Sequence, residues 1–280
     1  VRNALRNSAV FFLSLPAKMS GKVASVRFTC YHHVFDDERI PFERQLKYLK
    51  NYGEFISLDD AVRMIRGEVP IDGHYYCMTF DDGYRNCLTN ALPILHEQQC
   101  VATFFVVTSL VDAVTALQTI QSDDLAAERQ PDRHMLERIL GFFPTDDDLR
   151  VEFLTWEECR MLQEAGMTIA PHTRSHRNLS RLSVADVREE MRGSRADIAQ
   201  HLGYCVPHIA CPVGRPLLDF RPDVEPLLAA EEGFASFITS ERGPNCQGGD
   251  PYRIRRDHLC AWWGNEQVKY FFSRPCHSPR

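Results

Sequence analysis

His74-Tyr75-Tyr76-Cys77-Met78-Thr79-Phe80-Asp81-Asp82-Gly83 is the stretch that decides the fold. Its aromatic and apolar run reads as a strand buried on both faces, and it ends in two carboxylates and a glycine. That is the pattern of a parallel-sheet strand whose C-terminal end carries chemistry. Side chains of neighbouring strand residues point to opposite faces, so Asp81 and Asp82 take different roles unless the backbone bends between them. One carboxylate as a metal ligand and the other as a general base is the division of labour that suits a hydrolytic site. An Asp-Gly turn or a helix cap is the plainer alternative for the same residues.

On either side of this strand, strand and helix signals alternate. Residues 25–31 read as a first strand running into His32 and His33, and 101–107 as another buried strand. Helices are predicted over 41–52, with Phe42, Leu46 and Leu49 on one face, and over 58–66 between a Ser57 cap and Gly67. Further helices are expected near 88–98, from Thr155 onward with Glu158 at capping-box spacing, from Ser183 to about 201, at 224–232 and at 266–272. Strands are expected at 167–170 and 234–239, 207–214 reads as a strand and the loop after it, and the Gly/Pro-rich run 243–251 reads as a loop. This alternation predicts an α/β fold, a distorted (β/α)7 barrel. We read one barrel domain over 25–280 behind an N-terminal extension, 1–24. The charged, strandless stretch at about 112–150 is an insertion on the barrel face that bears the chemistry, either a lid and specificity element or a solvated helical excursion.

A chain of 280 residues, 44% hydrophobic and 25% charged, is enough for one large core. Its net charge of −6 leaves no basic footprint and argues against a nucleic-acid partner. No apolar run approaches the ~20 residues of a membrane span. The longest, 9–15, lies behind Arg2 and Arg6 and reads as a surface-docked helix rather than the remnant of a secretory signal. The ten cysteines include no Cys-x-x-Cys pair, and Cys77, Cys100, Cys159 and Cys211 fall in or beside apolar stretches. We therefore expect unpaired thiols, a reducing compartment and a cytoplasmic location, with a secreted or periplasmic one open if the N-terminus is incomplete.

Ninety residues after the Asp pair comes Ala170-Pro171-His172-Thr173-Arg174-Ser175-His176. Two imidazoles four positions apart share one side of a helical turn, and Pro171 suits the start of such a turn. With Asp82 they make a set of two histidines and one carboxylate, which leaves coordination positions open for water and substrate as catalytic zinc sites do. Coincidence is the alternative in a chain with eleven histidines.

Thr79-Phe80-Asp81-Asp82-Gly83 followed by His172-Thr173-Arg174-Ser175-His176 closely resembles the first two signature motifs of the polysaccharide deacetylases, the NodB-homology or carbohydrate esterase family four enzymes. The resemblance runs from about residue 31 to about residue 256. It implies a metal-dependent hydrolase that removes N-acetyl groups from an amino-sugar carbohydrate, whether polysaccharide, oligosaccharide or small glycoconjugate. Asp82, His172 and His176 would hold the ion and Asp81 would be the base. In the branch acting on exopolysaccharides, a Tyr-His closing the first strand supplies the acid, and Tyr31-His32 matches it; His258 is a rival donor and His33 stands beside it. Ile209-Ala210-Cys211-Pro212-Val213-Gly214 resembles the Phe-Ala-Tyr-Pro-x-Gly loop of that branch, with Cys211 in place of tyrosine. A Cys211 backbone N–H ahead of Pro212 would then share the oxyanion with the metal, since a main-chain donor does not depend on side-chain type. The arginine of the wider family's Arg-x-Pro-Tyr or Arg-x-Pro-Phe version is absent. Arg256 is similar to an arginine that the branch places after its last strands to orient the base, with Arg253 and Arg255 as alternatives. Zinc suits the ligand set best, and cobalt, nickel or iron would also be accepted. Two rival readings are another metal-dependent amide or ester hydrolase on this scaffold and a catalytically idle carbohydrate-binding module. A covered cleft mouth, if the insertion forms one, would favour short or small substrates over long chains.

Overall fold

The computed structural model describes residues 24–119, 152–204 and 206–273. Eight strands occur among these residues: β1 (Ser25–Tyr31), β2 (Glu54–Ile56), β3 (His74–Phe80), β4 (Thr103–Val106), β5 (Thr168–Pro171), β6 (His208–Ala210), β7 (Ser236–Ile238) and β8 (Arg256–His258). β3 pairs in parallel with β1 over seven residues, from Ser25 opposite His74 to Tyr31 opposite Phe80. The other edge of β3 is shared, with β2 against Tyr75–Cys77 and β4 against Thr79 and Phe80. β5 continues beyond β4, and β8 lies on the far side of β1. β6 and β7 form a second parallel pair, tied to the chain entering β8 by Thr239 N–H to Ile254 O and Arg256 N–H to Glu241 O. With β2 and β4 taking turns on one edge, the strands occupy seven positions around the core, as a distorted barrel requires. Among the described residues no backbone ladder joins β5 to β6. A side chain crosses that seam instead: His172, just past the end of β5, places its Nδ1 3.0 Å from Ala210 O of β6.

Burial explains why these segments pair. Every residue of β1 is buried, as are the last five of β3, so neither strand shows the alternation of a half-exposed sheet. Phe80 stacks on Phe104 at 4.9 Å, and Tyr31 meets Phe42 edge-on at 5.2 Å, joining the sheet to helix α1 (Arg39–Lys50). Gln45, on the same buried face, accepts from the Tyr31 hydroxyl at 2.8 Å and points its amide at the carbonyls of Cys260, Ala261 and Trp263. A buried amide satisfied in this way fixes the loop after β8 against the first helix.

Helix boundaries follow local chemistry. α2 (Leu58–Arg66) starts where Ser57 Oγ accepts from Asp60 N–H and stops at Gly67, φ 81°. The helix expected near 88–98 is split into a widened turn, Cys87–Ala91, and α3 (Leu92–Glu97), because Pro93 has no N–H to continue the earlier turns. α4 (Thr108–Thr119) follows β4, so the first residues of the stretch read as an insertion continue a helix. Most of that stretch, like the N-terminal extension with its run 9–15, lies outside the described residues. α5 (Trp156–Glu164) has the Thr155–Glu158 capping box, and α6 (Val184–Leu202) is capped by Ser183. α7 (Glu225–Glu231) and α8 (Asn265–Phe272) complete the order.

Cys30, Cys77, Cys87, Cys100, Cys159 and Cys211 are free thiols, all of them buried. Cys246 is disulfide-bonded, which corrects the reading of all ten cysteines as unpaired. It lies in the polar loop after β7 rather than in an apolar strand, and a disulfide there is at odds with the reducing compartment expected from spacing alone.

Candidate active site

The C-terminal ends of β1, β3 and β5 and the strand β8 open into one cleft of about 650 Å³, lined by Asp81, Asp82, His172, His176, His32 and His258 among others. The bend between the two carboxylates is visible in the backbone. Asp81 N–H still donates to Tyr31 O at 2.9 Å, continuing the ladder, and the next two residues turn left-handed, with φ 70° at Asp82 and 79° at Gly83. A non-glycine residue held in this region costs roughly 1–3 kcal/mol, a strain that clusters at functional sites. At Gly83 a Cβ would also press to 3.3 Å from Val106 Cγ1. The turn is what brings both carboxylates to the same cleft.

Asp82 Oδ1 lies 3.3 Å from His176 Nε2 and 3.5 Å from His172 Nε2. It is buried and has no hydrogen-bond partner. Because the atom facing His172 Nδ1 is a carbonyl oxygen, that nitrogen must carry the proton, and Nε2 presents its lone pair toward Asp82. Burial lowers the His172 pKa to about 4, so the ring is neutral at physiological pH. Burial alone would raise the Asp82 carboxyl, but His176, His32 and His172 outweigh it and keep the group below the usual carboxylate range. An orphaned anionic oxygen facing two imidazoles, one with its lone pair fixed inward, fits a divalent cation and fits little else at a buried position.

The local structure around the histidines departs from expectation. Thr173 and His176 have φ 62° and 53°, so no helical turn forms, and Pro171 closes β5 instead of opening a helix. Glu190 of α6 holds the resulting loop. Its buried carboxylate accepts from Arg174 N–H at 3.0 Å, Ser175 N–H at 2.8 Å and the Ser175 hydroxyl. Sequence reasoning missed Glu190. The signal was its position in the stripe Val187, Glu190, Met191, Ser194, Ile198, where a carboxylate interrupts the buried face of the helix.

Asp81 is held from the far side. Arg256 Nη1 donates to Asp81 Oδ1 at 2.7 Å and sits 3.3 Å from Thr79 Oγ1, while Nε donates to Thr239 O at 3.0 Å. The guanidinium is buried, 5.7 Å from the centre of the Phe105 ring. Burial pushes the Asp81 carboxyl up, but opposing influences, the Arg256 guanidinium foremost, more than offset it and bring its pKa to about 2. Of the three candidate arginines, Arg253 pairs with Glu241 and Arg255 N–H bonds to Asn245, so Arg256 is the one that meets Asp81. It lies on β8 itself rather than after the last strands, pointing inward.

His32 Nε2 is 3.9 Å from Asp82 Oδ2, and its ring meets His258 edge-on at 5.0 Å. Both rings line the cleft. His33 turns toward Glu38, with Nδ1 3.2 Å from Oε2, and packs on Phe35. Cys211 does not take the place expected of it. Its N–H donates to Ile238 O at 2.9 Å, extending the β6–β7 pairing, so it is not available to an oxyanion. Its thiol is buried, with the pKa pushed well up by that burial. Pro212 has no N–H to offer, and it is Val213, at φ 57°, that borders the cleft.

The polysaccharide deacetylase family model matches residues 69–227, more than half of the chain. The Bacillus subtilis (strain 168) protein YxkH, whose name places it with the polysaccharide deacetylases, is 23% identical over 242 residues, 84% of this chain and 71% of that protein. Among solved structures, IcaB from Ammonifex degensii superposes with a TM-score of 0.69 at 20% identity, covering 90% of this chain and 98% of that one. The Streptococcus pyogenes deacetylase PplD in complex with acetate gives 0.66 at 20% identity, with the same coverage of 90% and 98%.

Proposed function

Because the chain belongs to the polysaccharide deacetylase family, we propose that it is a metal-dependent hydrolase removing N-acetyl groups from an amino-sugar carbohydrate. The observation that carries this reading is the buried, unpartnered Asp82 Oδ1 facing two imidazoles beside a carboxylate clamped by Arg256. A divalent ion bound by Asp82, His172 and His176, with zinc the best match to these ligands and cobalt, nickel or iron acceptable, would polarise the acetamide carbonyl and acidify water.

The protein's own groups supply the rest. Asp81 is ionised at neutral pH and takes a proton from the attacking water at Oδ2, the oxygen that Arg256 leaves free. Arg256 fixes the direction of that carboxylate, so that its low basicity is offset by position. His32 reaches the cleft from the C-terminal end of β1, beside that of β3, and delivers a proton to the departing amine, which leaves poorly as an anion.

The test is acetate release from N-acetylglucosamine oligomers, chitin and small N-acetyl sugars by protein of measured metal content. Turnover that disappears with a chelator and returns on adding zinc supports the reading. A fully metal-loaded protein that releases no acetate from any of these substrates overturns it.

A further inference from the structure

Beside the first ligand trio lies another. The Cys30 thiol, a His32 ring nitrogen and an Asp81 oxygen come within 4.8 Å of one another, none of them shared with the group of Asp82, His172 and His176. Cys30 belongs to none of the motifs that carry the deacetylase resemblance. It reaches the cleft because β1 and β3 run in register, which sets Cys30 opposite Thr79, and its Sγ stands 3.4 Å from Asp81 Oδ2. Arg256 occupies Asp81 Oδ1 only, so Oδ2 faces the thiol and the cleft. His32 is partly exposed, which gives an ion a way in from solvent.

We propose that Cys30, His32 and Asp81 form an inhibitory site for a second, thiophilic divalent ion, zinc above all. A thiolate, an imidazole and a carboxylate make a set that zinc and cobalt favour, whereas magnesium and calcium prefer oxygen ligands throughout. The incoming ion takes the place of the Cys30 thiol proton, which leaves to solvent. The Arg256 charge next to Asp81 opposes a cation, so this site fills after the first. His172 Nε2 and Asp81 Oδ2 are 3.8 Å apart, so the two ligand sets adjoin and the second ion sits inside the catalytic cleft. Its effect follows from its ligands: it occupies the base and the acid at once, and excess zinc stops turnover. The inhibition rests on the deacetylase reading given above, while occupation of the site does not.

Cobalt titration of metal-free protein separates the two. The first equivalent is expected to bind without a sulfur-to-cobalt charge-transfer band and to activate acetate release. A second, weaker equivalent should produce that band while turnover falls. In Cys30→Ser, and in Cys30→Ala should the serine protein fold poorly, the band is expected to vanish, and excess zinc should no longer depress the variant's own one-equivalent activity. Absence of a thiolate band in wild-type protein at any cobalt excess overturns the site, as does a band that persists undiminished in a folded Cys30 variant. Inhibition by excess zinc that survives in the variant overturns its assignment to these ligands. If the first equivalent fails to activate, it is the deacetylase reading that fails, and the band still decides the second site.

Discussion

Replacing Arg256 with methionine removes the one charge bonded to Asp81 and leaves an unbranched side chain in the space of the arginine stem. Both groups are buried and 2.7 Å apart, so the substitution leaves an uncompensated carboxylate in the core. Breaking such a pair costs about 3–5 kcal/mol. An independent figure comes from linkage. Asp81 titrates at about 2 in the fold, against roughly 3.9 for an unperturbed Asp, and at about 1.4 kcal/mol per pKa unit this is worth about 2–3 kcal/mol. The sign is that of a depressed carboxylate: the stabilisation is complete above the unfolded pKa, near pH 4, and is lost as pH falls toward 2. In the methionine variant burial is no longer offset by the arginine, so the Asp81 pKa rises and part of the base is protonated at pH values where the wild type is fully ionised. Urea unfolding of metal-free protein should therefore show a loss of about 3 kcal/mol at neutral pH that shrinks on acidification. The acid limb of kcat should move to higher pH, while binding of the first zinc equivalent is reduced far less because Arg256 bonds to none of Asp82, His172 and His176. Equal stabilities at pH 7, or an unmoved acid limb in a stable, zinc-loaded variant, would refute the reasoning.

Asp81→Asn should retain metal and lose on the order of 10²-fold or more in kcat, since an amide cannot take the proton; near wild-type turnover would assign the base elsewhere. Glu190→Ala removes the acceptor of two loop N–H groups between His172 and His176 and should weaken zinc binding by roughly 10–100-fold, as losing the groups that hold metal ligands in place does; calorimetry showing unchanged affinity would reduce Glu190 to a packing role. His32→Ala should slow amide hydrolysis by roughly 10²-fold or more while sparing an ester with a good leaving group, which needs no proton; the same pattern in His258→Ala, with His32→Ala unaffected, would exchange their roles. Replacing residues 120–150 by a short linker is expected to raise kcat/KM on polymer relative to a disaccharide, and an unchanged ratio in a folded, metal-loaded variant would end the idea that this stretch restricts the cleft.

Most of the barrel was legible because its signals are local. Ser57 and Gly67 delimit α2, Thr155 and Glu158 open α5, and the buried runs of β1 and β3 stand out as apolar stretches. β2 was not, being only three residues with no room for a period. β8 was hidden by its composition. Arg256 and Asp257 look like surface residues and are buried because their partners, Asp81 and Arg27, come from the end of β3 and from β1. His172 and His176 stood out by type and spacing as candidate ligands, but their loop was misread as a helical turn, because its left-handed residues are held by Glu190 from a distant helix. The role expected of the Cys211 N–H failed for a similar reason: whether a backbone donor is free depends on a strand that pairs with it from far along the chain, at Ile238.

Hydrolysis is proposed to depend on one ion held by Asp82, His172 and His176. Acetate release measured while zinc is added to metal-free protein addresses it directly, with His176→Ala beside the wild type. Wild-type activity is expected to rise to its maximum at one zinc per chain, with no rise in the variant at the same zinc concentration. Full activity in the presence of a chelator, or activation of the folded variant to the wild-type level by one equivalent, would contradict it.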